Sequence, residues 1–270
     1  MSWARVMAPL AGAEGDAAVL SAAVKAAIPF EAEVAAVFAP ADVADIMPWL
    51  GEGYLGGVQT TAIETLRQAA ATGEARSRSA YEACDYAKKT YVALRSPVWA
   101  ALSAQARLSD LVVFGDDAAR GRGPLAECFQ QILADEQRPV LIARRGFEAG
   151  GVVAVAWDGG KEASRAARLA LPLLEKASRV VLLAAPKATS RHFEPSRLQA
   201  YYAARGVQAE VEVLGDKGEA AGLLLGAVKR VGANLLVAGA FGHPRLQEFI
   251  FGGTTRSLLA AEAPSLFLSH

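Results

Sequence analysis

The sequence predicts an α/β fold: two tandem, open, mostly parallel Rossmann-like sheets with helices on both faces. Three observations predict it. Short aliphatic runs alternate with longer Ala/Leu-rich segments of helical period. The alternation occurs twice along the chain, in matching order. The length of 270 residues exceeds the roughly 100 to 200 that one domain usually holds.

The first pass opens with a strand in ARVMAPLAG (4–12), a helix in AAVLSAAVKAAI (17–28) and a strand in AEVAAVFAP (32–40). It closes with a strand in DLVVFGDD (110–117), a helix in LAECFQQILAD (125–135) and a strand in PVLIAR (139–144). The second pass has a strand in GVVAVAWDGG (151–160), a helix in EASRAARLALPLLEK (162–176), then strands in RVVLLAAP (179–186) and AEVEVLG (209–215). A helix in AAGLLLGAVKRV (220–231), a strand in NLLVAGAFG (234–242), a helix in TTRSLLAAE (254–262) and a strand in PSLFLSH (264–270) complete it. The spacing repeats as well: Gly115 to Pro139 is 24 positions and Gly239 to Pro264 is 25. These passes divide the chain into an N-terminal domain, 1–146, and a C-terminal domain, 147–270. Residues 41–80 are an insertion in the first domain, Pro/Gly-rich at its start and helical afterwards, expected to pack as a surface excursion on its own half, with covering a face or contacting a partner as the alternative.

Bulk composition narrows the function. With 28 basic and 28 acidic side chains the net charge is zero, so no global field gathers nucleic acid or an anionic membrane, and any anion site must be local. Charged residues interrupt every apolar span before the roughly 18 residues a membrane helix needs. The N-terminus lacks the apolar run of a secretory signal, and the two cysteines, Cys84 and Cys128, have no C-x-x-C partner, so a reducing, cytoplasmic location is expected. The three histidines are scattered, and no metal site is expected. No G-x-S-x-G elbow and no local Ser-His-Asp or Cys-His set supplies a nucleophile.

The motif that carries chemistry lies between 239 and 255. In an open parallel sheet, ligands bind beyond the carboxyl ends of strands where the strand order reverses. One such strand ends in Asp158, Gly159 and Gly160; another ends at Gly239, followed by Gly242, His243 and Arg245. Gly252, Gly253, Thr254 and Thr255 then open a helix, whose unpaired N–H groups and positive dipole suit a phosphate. The same residues also fit a capped glycine turn with no ligand, and spacing alone leaves both open. Arg245 and Arg256 lie near the loop and suit neutralising phosphate charge, although Arg256 equally fits a solvent-facing first turn; His243 fits either a phosphate contact when protonated or a polar loop residue. No P-loop is present: Gly159-Gly160-Lys161 is followed by Glu162 where Ser or Thr is needed.

The chain resembles a tandem universal stress protein, with two copies of that domain over nearly its whole length. Gly239-x2-Gly242-x9-Gly252 is similar to the family's G-x2-G-x9-G-[ST] nucleotide motif, although Gly253 replaces the final Ser or Thr and the hydroxyl follows at Thr254. The resemblance implies a cytoplasmic stress-response protein whose C-terminal domain binds ATP or a related adenine nucleotide, with Mg2+, as a regulatory ligand. Asp158 stands where the family has an Asp beside the nucleoside. It also implies unidentified protein partners, an intramolecular pseudo-dimer with a further homodimer left open, and at most slow ATP hydrolysis. A nucleotide-free interaction module is the alternative. The first copy has Ala118 where the second has Gly242, and Asp116 and Asp117 at its strand end are expected to repel a triphosphate, so its site is read as lost.

Overall fold

The computed structural model describes residues 2–40, 57–95, 97–144, 146–184, 194–240 and 253–270. Their ten strands form one sheet. The strands are β1 (Arg5–Leu10), β2 (Glu33–Phe38), β3 (Lys89–Ala93), β4 (Leu111–Gly115), β5 (Val140–Ala143), β6 (Val152–Trp157), β7 (Arg179–Ala184), β8 (Ala209–Val213), β9 (Leu235–Gly239) and β10 (Ser265–Ser269). Their spatial order is β3-β2-β1-β4-β5-β10-β9-β6-β7-β8. Counted inward from either edge, the third, second, first, fourth and fifth strands of each pass follow one another. All neighbours are parallel except β5 and β10, which run antiparallel with Leu141 opposite Phe267. β5 and β10 form the seam between the two passes.

The interior strands read as nearly continuous apolar runs because both faces of the sheet are covered. On one face lie α1 (Asp16–Ala27), α2 (Gly57–Ala83), α6 (Lys161–Leu169), α7 (Leu171–Leu174) and α8 (Pro195–Ala203). On the other lie α3 (Val98–Ala106), α4 (Asp116–Ala119), α5 (Ala126–Ala134), α9 (Ala220–Val231) and α10 (Gly253–Ala260). Each face carries one apolar cluster that runs through both passes, so Trp3 and Trp157 belong to the same core. The two edge strands are only half buried, and Val211 and Val213 of β8 are exposed.

Several elements depart from the expectation. β3 and α3 occupy a stretch that the sequence left unassigned, and α8 likewise fills the connection between β7 and β8. The single helix expected over 162–176 is two, because Pro172 has no N–H to continue the first and instead opens the second. α8 is fixed by Tyr202, whose fully buried hydroxyl donates to Ala167 O at 3.0 Å. Burial pushes that hydroxyl well above the ordinary tyrosine range. Of the cysteines, Cys128 is buried on α5 and Cys84, half buried, is a free thiol pushed up by burial. No helix among the described residues is long and apolar enough to cross a membrane.

The helical part of the 41–80 insertion is α2, which packs on α1, β2 and β3 of its own half. Its C-terminal part is held by Tyr81, Lys89 and Tyr91. Lys89 donates to Tyr81 O at 2.7 Å and to Cys84 O, while the Tyr91 and Ser77 hydroxyls share a hydrogen bond of 2.8 Å.

Candidate functional site

The strand order reverses between β1 and β4 and again between β6 and β9, which opens one crevice in each half at the carboxyl ends. In the second half the paired register stops at Val155 and Val237, two residues short of Trp157 and Gly239. In the first it stops at Met7 and Val112. Four helices are the next described ones after the crevice strands: α1 after β1 and α4 after β4 in the first half, α6 after β6 and α10 after β9 in the second.

Three of the four already carry acid in their first turn. On α1, Asp16 is 2% exposed, and its carboxylate accepts the Ala11 and Gly12 amides, both at 2.8 Å. On α4, Asp116 and Asp117 occupy the first two positions. On α6, Glu162 is 7% exposed and pairs with Lys161 Nζ at 3.3 Å. α10 has no acid in its first turn and has Arg256 there instead. An acid near a helix start takes up the dipole that an external anion would use. Among the described residues, α10 is the one of these four helices with no acid in its first turn.

The first-half crevice is also closed from above. Gly12 adopts φ +71°, and a Cβ on it would lie 2.5 Å from the Cα of Gly73 on α2, so the insertion helix crosses the mouth in contact with the β1–α1 turn. The loss of a site there was expected from repulsion by Asp116 and Asp117. The structure corrects that reason. Asp116 is paired with Arg120 at 2.5 Å and Arg144 at 2.7 Å, and Asp117 with Arg122 at 2.5 Å, so neither presents an uncompensated charge. The mouth is instead filled by the Asp16 carboxylate and by α2.

Burial pushes the Asp16 carboxyl above its ordinary range, against the opposing amides of Ala11, Gly12 and Ala13. The folded chain therefore holds this proton more tightly than the unfolded chain, and the group's contribution to stability falls as pH rises through the interval between the two values. Asp16→Asn is accordingly expected to gain stability relative to wild type as pH climbs above about 4 in urea titrations. A gap that moves the other way would show that the amides outweigh desolvation.

The residues expected at the second-half site divide into three groups. Asp158 is exposed, and its Oδ1 accepts the Gly160 amide at 2.8 Å, closing the turn into α6. Gly159, buried in that turn, needs its positive φ of +76°. Gly239 lies against α6: a Cβ there would sit 2.5 Å from Ala163 N and 2.6 Å from Glu162 C. Its glycine serves helix packing. At the start of α10, Gly253 and Thr254 are exposed and Thr255 is buried, and no described atom lies within 4 Å of a Cβ built on Gly253. Gly242, His243, Arg245 and Gly252 lie outside the described residues.

Two polar groups at this mouth escaped the sequence reading. Glu162 was considered only for failing the P-loop pattern. Ser269 pairs with Gly239 at the end of β10, fully buried, and its Oγ has no hydrogen-bond partner among the described residues. A serine closing an apolar strand gives no signal in the sequence.

Comparison with solved structures identifies the architecture. A universal stress protein from Archaeoglobus fulgidus superposes with a TM-score of 0.68 at 15% identity, over 98% of this chain and 97% of that one. The chain has a universal stress protein fold. A protein of unknown function from Pseudomonas aeruginosa matches with a TM-score of 0.55 at 13% identity, over 99% of this chain and 92% of its own. A second Pseudomonas aeruginosa protein, assigned to the universal stress proteins, gives 0.53 at 14% over 99% and 93%. No protein-family model and no curated protein matches the sequence.

Proposed function

We propose that the chain is a cytoplasmic stress-response protein whose C-terminal half binds ATP or a related adenine nucleotide, with Mg2+, as a regulatory ligand. In this reading the chain is two universal stress protein-like domains, 1–146 and 147–270, joined as an intramolecular pseudo-dimer. The phosphates lie at the start of α10 against Gly252, Gly253, Thr254 and Thr255, with Gly242, His243 and Arg245 in the preceding loop. Asp158 and Gly159 face the nucleoside from across the crevice. The observation that supports it is the distribution of acid. Among the four helices that come next after the crevice strands, α10 has no acid in its first turn, and no described atom lies within 4 Å of a Cβ built on Gly253.

A nucleotide-free interaction module has a specific observation in its favour too. Gly239 and Asp158 each have a structural duty, one in packing α6 and the other in closing its turn. Two experiments separate the readings: mass spectrometry of ligand released from the denatured protein, and calorimetry with Mg-ATP. Release of an adenine nucleotide together with measurable heat supports the first. No released nucleotide and no heat at millimolar Mg-ATP leaves the second.

Gly253→Asp is expected to weaken Mg-ATP binding by about tenfold or more through charge repulsion while leaving the melting temperature unchanged or slightly raised. An acid at that position suits the empty helix but opposes the phosphate. Unchanged affinity in the calorimeter would move the site away from α10.

A further inference from the structure

We propose that Asp116, Arg144 and Arg120, all from the first half, form a clasp that fixes the carboxyl end of α10 and so positions its amino end for the anion. The inference rests on the nucleotide reading above and names the part of the first half on which that site depends.

The Arg144 side chain is 8% exposed. Its Nε donates to Asp116 Oδ1 at 2.7 Å and its Nη2 to Leu259 O at 2.8 Å. Both Nη atoms reach Leu258 O at 3.4 Å, and Nη1 also reaches Ala263 O at 3.4 Å and Pro264 O at 3.5 Å. Arg120 mirrors this arrangement from the other carboxylate oxygen: its Nε donates to Asp116 Oδ2 at 2.5 Å and its Nη1 to Ala260 O at 3.0 Å. One carboxylate therefore aligns two guanidinium groups, which together cap the carbonyls of 258, 259 and 260.

A helix leaves its last four carbonyls without internal partners. α10 has eight residues, too short to hold its own position by internal hydrogen bonds. Contacts from outside must fix it, and the clasp takes up three of those four carbonyls. Two guanidiniums and one carboxylate leave one net positive charge at the negative end of the dipole, which complements an anion at the other end. Arg144 follows β5 and Asp116 follows β4, whereas α10 precedes β10, so the clasp spans the antiparallel seam. The first half, with its own crevice closed, serves as the mount for the helix of the second.

The test is calorimetry of Mg-ATP on the intact chain. Arg144→Met is expected to weaken binding about tenfold, and Arg144→Lys less, because an ammonium keeps the charge but lacks the planar fork that bridges Asp116 and Leu259. Asp117→Asn, which breaks only the exposed pair with Arg122, is expected to leave affinity unchanged. Hydrogen exchange of the α10 amides should quicken in Arg144→Met while that of β10 does not. Wild-type binding with equal affinity in Arg144→Met overturns the clasp and leaves the nucleotide reading standing. Absence of wild-type binding overturns both. Should Arg144→Met not fold, Arg120→Met, which removes one arm, carries the same test with an expected loss of about threefold, and unchanged affinity again overturns the clasp.

Discussion

Gly239→Val is expected to destabilise the protein by about 3 kcal/mol, seen as a lower urea midpoint at unchanged slope. The cause is backbone against backbone. A Cβ at 239 would sit 2.5 Å from the amide nitrogen of Ala163 and 2.6 Å from the carbonyl carbon of Glu162, and neither can swing aside as a side-chain tip can. Relief requires the first turn of α6 to lift from β9, which exposes Ala163 and Ala166 of the shared core. Gly253→Ala is the contrasting case. It has open space and a helical position, so it is expected to change stability by less than about 0.5 kcal/mol, or to raise it slightly. Equal losses at the two glycines would refute the division between a glycine packed on α6 and one with no described neighbour.

Phe267→Ala is expected to cost about 4 kcal/mol. Phe267 is fully buried on β10, opposite Leu141 across the seam, and belongs to the cluster that contains Trp3, Val6 and Leu111 of the first half as well as Val155 and Val237 of the second. No smaller side chain there can be compensated by collapse of one half alone, because the cavity opens between them. Unfolding followed by tryptophan fluorescence and by far-ultraviolet circular dichroism should still give one coincident transition, since Trp3 and Trp157 report the same core. Two separated transitions in the variant would show that the halves fold independently.

How much was legible in the sequence depended on burial. β1, β4, β9 and β10 were plain because a strand covered on both faces must be apolar throughout. β3 was not, because an edge strand shows one side to solvent and KTYVA begins with two polar residues. The break between α6 and α7 was visible in Pro172 but was overridden by the leucines on either side of it. At the candidate site, Asp158 and Gly239 stand at strand ends and Gly253 opens a helix, as the sequence reading expected of the elements. The sequence did not reveal why Gly239 is a glycine, since strand-to-helix contact and ligand approach both forbid a Cβ. Nor did it show that Asp116 and Asp117 are neutralised. Their partners Arg120 and Arg122 stand four and five residues on, but Arg144 arrives only through the fold.

The seam has a consequence for how the chain is made. β10 occupies the middle of the sheet, yet it is synthesised after the nine strands it joins. β5 is complete more than a hundred residues earlier, and its free edge then waits on the order of ten seconds at typical translation rates. Throughout that interval the nascent first half presents an apolar strand paired only on its β4 side, the kind of open edge on which chains aggregate. Val140, Leu141 and Ile142 are the residues a chaperone would have to shield, and a ribosome stalled before residue 265 would leave them bare.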